Sequence, residues 1–213
     1  MNITARTIVV AGATSASGLA VARALTDLGA RVVATGRSAD RLQPLHEIGA
    51  EIEVADATSL DEMTALASRL GTVDAVLPLV GGWRGGGGLA GQSDADFAAL
   101  LPALEAVRAT SRAFDDALRA SSAGRFAIVS STSVARPLAG GANYAAVKAA
   151  AEAWTRAVAQ GFAKAARDAD EPLRAASVVF RAKSLEPASL VARVVGLWDG
   201  EAAELNDQVF TLD

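Results

Sequence analysis

Cysteine is absent from the 213 residues, histidine and tyrosine occur once each, and aromatic residues make up only 5%. Without thiols the chain has no disulfide, no thiolate metal site and no cysteine nucleophile, which fits a reducing cytoplasm without requiring one. The single histidine, His46, has no second histidine with which to share a metal, and its polar surroundings predict a solvated surface residue. Long apolar runs are also missing. Stretches such as Ala75 to Val80 are far too short to span a bilayer, and the segment from Met1 to Arg6 lacks the apolar core of a signal peptide. There is no basic excess either, because the net charge is −4, and a nucleic-acid or anionic-membrane surface is not expected. What remains is 51% hydrophobic and 21% charged, the balance of an ordinary soluble protein, expected as one domain over residues 1–213 and in the cytoplasm.

Short β-branched runs alternate with helical patterns along the chain. Strands are expected at Thr7–Ala11, Arg31–Thr35, Glu51–Ala55, Ala75–Val80, Arg125–Val129, Ala176–Phe180 and Gln208–Leu212. Helices are expected from about Gly18 to Leu28, after the capping box Ser59-Leu-Asp-Glu62, from about Asp94 to Ala120, around Tyr144, and from Pro187 to about Trp198. Apolar strands without strict alternation, joined by helices, predict a doubly wound α/β fold. Its parallel sheet of about seven strands carries helices on both faces. Pro78 is expected at the end of its strand's pairing, and Pro102 is expected to kink or restart the long helix.

The only tyrosine, Tyr144, stands four residues before Lys148, one of three lysines. That spacing puts phenol and ammonium on one helix face. A neighbouring cation favours the phenolate, so the pair can serve as a general acid or base. A surface tyrosine and a solvated lysine fit the same spacing, and the two side chains alone do not decide. Upstream, Gly12-Ala-Thr-Ser-Ala-Ser-Gly18 joins the first strand to the first helix, where backbone amides can hold a pyrophosphate. A small-residue turn for close packing explains that loop equally well.

Together these pieces resemble the short-chain dehydrogenase/reductase family over nearly the whole chain. The family's loop glycines at relative positions 0, 4 and 6 read Gly12, Ala16 and Gly18 here. Its Tyr-x-x-x-Lys pattern, with a serine thirteen residues earlier, reads Ser131, Tyr144 and Lys148. The resemblance implies catalysis by these three residues. It also implies that Gly12, Thr14, Ser15, Ala16, Ser17 and Gly18 hold the pyrophosphate, with Asp56 near the adenine, Gly81 beside the nicotinamide and Lys148 on the ribose. The slot after the second strand that an acidic residue fills for NAD holds Gly36, followed by Arg37 and Ser38. NADP is therefore the expected cofactor, with NAD second.

Other landmarks of the family are missing. Pro78-Leu-Val-Gly81 stands where the family has Asn-Asn-Ala-Gly, the helix asparagine falls near Leu104, and the Pro-Gly after the sixth strand reads Phe180-Arg181. The substrate-covering segment is cut to a few residues before Pro187. Val80-Gly-Gly-Trp-Arg-Gly-Gly86 resembles the Gly-Gly-Trp-x-Gly-Gly stretch of dihydropteridine reductases, so Trp83 can stack on a planar, pterin-like substrate or pack down locally. The reading is an NADP-dependent oxidoreductase acting on a small-molecule carbonyl or hydroxyl, assembled as a homodimer or homotetramer by family analogy. A non-catalytic dinucleotide-binding regulatory or assembly protein is the second.

Overall fold

The computed structural model describes residues 3–212. Its strands are β1 (Thr7–Ala11), β2 (Arg31–Gly36), β3 (Glu51–Val54), β4 (Ala75–Pro78), β5 (Arg125–Ser131), β6 (Ala176–Ala182) and β7 (Val209–Leu212). They form one sheet in the order β3-β2-β1-β4-β5-β6-β7, and every pair is parallel. The helices are α1 (Ala16–Asp27), α2 (Ala39–Glu47), α3 (Leu60–Leu70), α4 (Asp94–Leu100), α5 (Pro102–Ala113), α6 (Asp115–Ala120), α7 (Ala142–Asp168), α8 (Pro187–Val195) and α9 (Ala202–Leu205).

Successive strand residues point to opposite faces, and each face has its own core. Ile8 and Val10 of β1 pack with Val21 and Leu25 of α1, Leu42 and Leu45 of α2, and Leu190 and Val194 of α8. Val9 and Ala11 face the other way, toward Met63 and Leu66 of α3, Ala106 and Val107 of α5, and Ala151 and Phe162 of α7. Apolar residues at both parities are what a strand covered on two sides needs, which is why the strand sequences do not alternate.

Local chemistry sets the boundaries. Ser15, Ser38, Ser59 and Ser93 each cap a helix by accepting a hydrogen bond from an amide in its first turn. At α3 the expected box is altered, since Glu62 accepts from the amide of Asp56 at 2.9 Å. The region expected as one helix from Asp94 to Ala120 is three, α4 to α6. Pro102 lacks an amide proton and opens α5 as its first residue, and Phe114, fully buried, marks the break before α6. Pro78 ends β4 opposite Ala11.

His46 lies in the last turn of α2, not in a polar connection. Pro44 inside that helix masked its periodicity, although Leu42 and Leu45 are buried at helical spacing. β5 and β6 each run two residues beyond their expected ends. Among the described residues no helix is long and apolar enough to cross a membrane, and no group of three or more His, Asp or Glu side chains could hold a metal ion.

Candidate active site

The strand order reverses between β1 and β4, which leaves a crevice outside the carboxyl ends of the strands. Gly12 opens it. At φ +75° the residue lies in the left-handed region, and a Cβ there would stand 2.6 Å from Val80 Cγ2. Ser15 spends its hydroxyl on the Gly18 amide at 3.1 Å. The amides of Thr14, Ser15, Ala16 and Ser17 have no acceptor among the described residues, so the α1 N-terminus presents free donors to an anion. Ala16 fits where the family pattern has glycine, because its backbone is helical.

One half of the crevice is a cleft of about 520 Å³ lined by Gly12, Thr14, Ser15, Gly36, Arg37, Ser38, Arg41, Asp56 and Gly81, among others. Gly36 offers no carboxylate, and a Cβ there would begin 3.0 Å from Thr14 Cγ2. Arg37 is exposed, with its guanidinium 4.0 Å from the Asp56 carboxylate. Asp56 accepts from the amide and hydroxyl of Thr58 at 2.9 and 2.8 Å, three residues before the α3 cap, Ser59. Ser38 both lines the cleft and caps α2. Arg41, which sequence reasoning passed over, belongs to α2 and faces the same cleft. The signal was present in Leu42 and Leu45, whose spacing sets the helix and hence the place of Arg41.

The other half is a cavity of about 390 Å³ walled by Ser15, Ala16, Ser17, Pro78 to Trp83, Val129, Ser130, Tyr144, Lys148, Ala182, Lys183 and Leu185. Leu79, Val80 and Gly81 line both halves, so the crevice is continuous. Trp83 does not pack down: it is 61% exposed. Lys148 is buried, donates to the Val129 carbonyl at 2.8 Å, and lies 5.8 Å from the Tyr144 ring centroid. Burial pushes its pKa down to about 8, partly opposed by the charge of Glu152. Burial pushes the Tyr144 phenol up, partly offset by its hydrogen bond with Ser131. Without ligand the phenol is therefore held protonated, whereas the sequence suggested that Lys148 would lower it. Ser131 ends β5 and accepts from the amide and hydroxyl of Ser133 at 3.2 and 2.9 Å. The adjacent Ser130 reaches the cavity wall and donates to Glu152 at 2.6 Å.

The model of the family described as short chain dehydrogenase matches residues 6–166. The chain belongs to the short-chain dehydrogenase/reductase family. Members of this family are NAD(P)-dependent oxidoreductases, which favours the enzyme over the binding protein. A metagenomic short-chain oxidoreductase solved in complex with NADP is 26% identical, with a TM-score of 0.81 over 100% of this chain and 99% of that one. A short-chain dehydrogenase from Shigella flexneri is 20% identical, with a TM-score of 0.85 over 99% and 98%. The gluconate 5-dehydrogenase of Burkholderia cenocepacia, in complex with NADP and tartrate, is 18% identical, with a TM-score of 0.82 over 100% and 96%. A comparison with curated proteins finds no match.

Against the family pattern, the match of Phe180-Arg181 to the Pro-Gly beside the nicotinamide needs correcting. Because β6 extends to Ala182, Phe180 is buried in the α1-side core and Arg181 forms a two-point ion pair with Glu152. The residues that follow the strand into the crevice are Lys183 and Leu185. Leu104, near which the family asparagine falls, packs against the cluster of Leu100, Ala103 and Val147, as Tyr144 does. The segment between β6 and α8 is residues 183–186 alone.

Proposed function

We propose that this oxidoreductase transfers hydride between NADP and a small-molecule carbonyl or hydroxyl, with Ser131, Tyr144 and Lys148 as its catalytic residues. The observation that carries the reading is that Tyr144 and Lys148 wall the same cavity, and that this cavity opens into a cleft lined by Arg37, Ser38 and Arg41. The free amides at the α1 N-terminus suit the pyrophosphate. Two guanidiniums and a hydroxyl beside Gly36 suit a 2′-phosphate and offer a ribose 2′-hydroxyl no acid at that slot. When bound, the dinucleotide supplies the hydride.

The protein's part is the proton. Tyr144, protonated at neutral pH, donates its phenol proton to the carbonyl oxygen as the C–H bond forms. Ser131 donates a hydrogen bond to the same oxygen and orients it. Lys148 stabilises the resulting phenolate across the 5.8 Å to the ring and would hold the nicotinamide ribose of a bound dinucleotide. Assembly as a homodimer or homotetramer through α5 and α7 completes the reading. Wild type is expected to bind NADPH more tightly than NADH, followed by tryptophan fluorescence. Tyr144→Phe is expected to keep NADPH affinity while losing about 10²- to 10⁴-fold in turnover. A Tyr144→Phe enzyme that reduces a verified carbonyl substrate at the wild-type rate sinks the assignment.

A further inference from the structure

The cavity beside Tyr144 has an unbalanced set of charges. Its titratable groups among the described residues are Tyr144, Lys148 and Lys183, and no carboxylate of a described residue lines it. Lys148 is buried and already donates to the Val129 carbonyl. Lys183 differs in each respect. It is exposed and makes no hydrogen bond or ion pair with any described residue, whereas Arg181, two residues earlier, is held by Glu152 on both oxygens.

The sheet fixes where this free ammonium starts from. Ala182 is in register with Ser131 across the parallel β5–β6 pair, and adjacent strands lie about 4.8 Å apart. Lys183 is thus one residue past the point that adjoins Ser131. The connection to α8 is only residues 183–186, too short to carry the lysine away from the crevice. Serine hydroxyls enter the wall at the α1 N-terminus, from Ser15 and Ser17, and at Ser130, while Leu79, Val80, Leu185 and the exposed indole of Trp83 supply apolar or planar surface.

We propose that the substrate is a flat, apolar carbonyl compound bearing a carboxylate, and that Lys183 is the specificity-determining residue that receives that carboxylate. The inference rests on reading this cavity as the place where the carbonyl meets Tyr144. A cation with no partner among the described residues, beside the apolar surface of Leu79, Val80, Leu185 and Trp83, favours an anionic group over a neutral one, because the charge-assisted bond is made only with the acid. The other anion that Lys183 could meet is the dinucleotide's own pyrophosphate, since Ser15, Ala16 and Ser17 line the same cavity.

The experiment uses a panel of aromatic aldehydes and ketones, each as the free acid and as its methyl ester. Binding to the protein saturated with NADP⁺ is measured by calorimetry, NADPH oxidation by absorbance, and NADPH affinity by fluorescence, for wild type, Lys183→Met and Lys183→Arg. Wild type is expected to prefer the acid of the best pair by about tenfold or more in affinity and in kcat/KM. Lys183→Met brings that ratio close to one, with the loss in KM, and Lys183→Arg restores it. NADPH affinity moves less than twofold across the three proteins. Equal binding of acid and ester by wild type, no binding of any acid, or a ratio that survives Lys183→Met overturns the proposal. A tenfold loss of NADPH affinity in Lys183→Met also overturns it and assigns the lysine to the pyrophosphate. Acid-selective binding that depends on Lys183 but leads to no NADPH oxidation rejects the carbonyl-reduction reading and leaves Lys183 as a carboxylate site.

Discussion

Two cations are buried at opposite ends of β5, and they are treated differently. Arg125, at the amino end, is fully enclosed and makes four hydrogen bonds to the carbonyls of Leu197, Gly124, Arg174 and Gly200, at 2.7 to 3.2 Å. Lys148, at the carboxyl end, makes one, to Val129. Neither has a carboxylate within ion-pair distance among the described residues, and burial lowers both pKa values, to about 10 and about 8. A guanidinium whose donors are spent on backbone ties together the loops that meet there. An ammonium with donors left over, facing a cavity, is held ready for something that binds. The difference lies in saturation rather than in burial.

The strongest way to break that contrast is to remove Arg125. Arg125→Met leaves four carbonyls without their donor, and at roughly 1 kcal/mol each the expected loss is about 4 kcal/mol. For a chain of this length that is a fall of roughly 10 °C in Tm. Thermal unfolding followed by circular dichroism measures it, with NADPH affinity of the folded protein staying within twofold. A variant of normal Tm that has lost NADPH binding would move Arg125 from scaffold to site.

Removing Lys148 is expected to act with the opposite sign on stability. A fall from 10.5 to about 8 corresponds to about 3 kcal/mol of destabilisation in the charged state. Lys148→Met, which fills the space without the charge, is expected to gain about 2 kcal/mol at pH 7 in urea unfolding. Between pH 8 and 10.5 the unfolded chain keeps a proton that the folded one has released, so wild-type stability rises with pH across that window. The variant lacks this rise, and its advantage fades toward pH 10.5. Parallel pH profiles for the two proteins would mean that the ammonium is not desolvated as the structure has it.

The same contrast explains what was legible in the sequence. The seven strands, the parallel sheet and the break at Pro102 follow from periodicity and from proline's missing donor, which are local properties. Ser131, Tyr144 and Lys148 stood out because their types and spacing are rare together, although spacing says nothing of their roles. Arg41 was hidden because Pro44 disguised α2. The displaced ends of β5 and β6 hid Lys183, since where a strand stops depends on its neighbours' pairing. The raised pKa of Tyr144 and the saturation of Arg125 are products of burial, which no linear reading contains.

The smallest effect tests what supports the unsaturated end. Glu152 follows Lys148 by one turn of α7, is itself buried, and is held by Arg181 from β6 and Ser130 from β5. The charged and titratable groups around Lys148 are thus Tyr144 and Glu152 on its own helix, Arg181 on β6 and the exposed Lys183 just beyond it. Of these only Glu152 favours the ammonium. Glu152→Gln removes that charge and leaves Arg181 partly exposed without its partner, a loss of about 1 kcal/mol. It also lowers the Lys148 pKa further, so the rise of stability with pH begins at a lower pH than in wild type. Tyr144 acts above pH 10, where its raised pKa makes stability fall as pH climbs, and so does not obscure the onset. In a Lys148→Met background the shift in onset should vanish while the 1 kcal/mol loss remains. If the shift persists there, the titrating group is not Lys148, and the carboxylate serves only to anchor Arg181 between the strands.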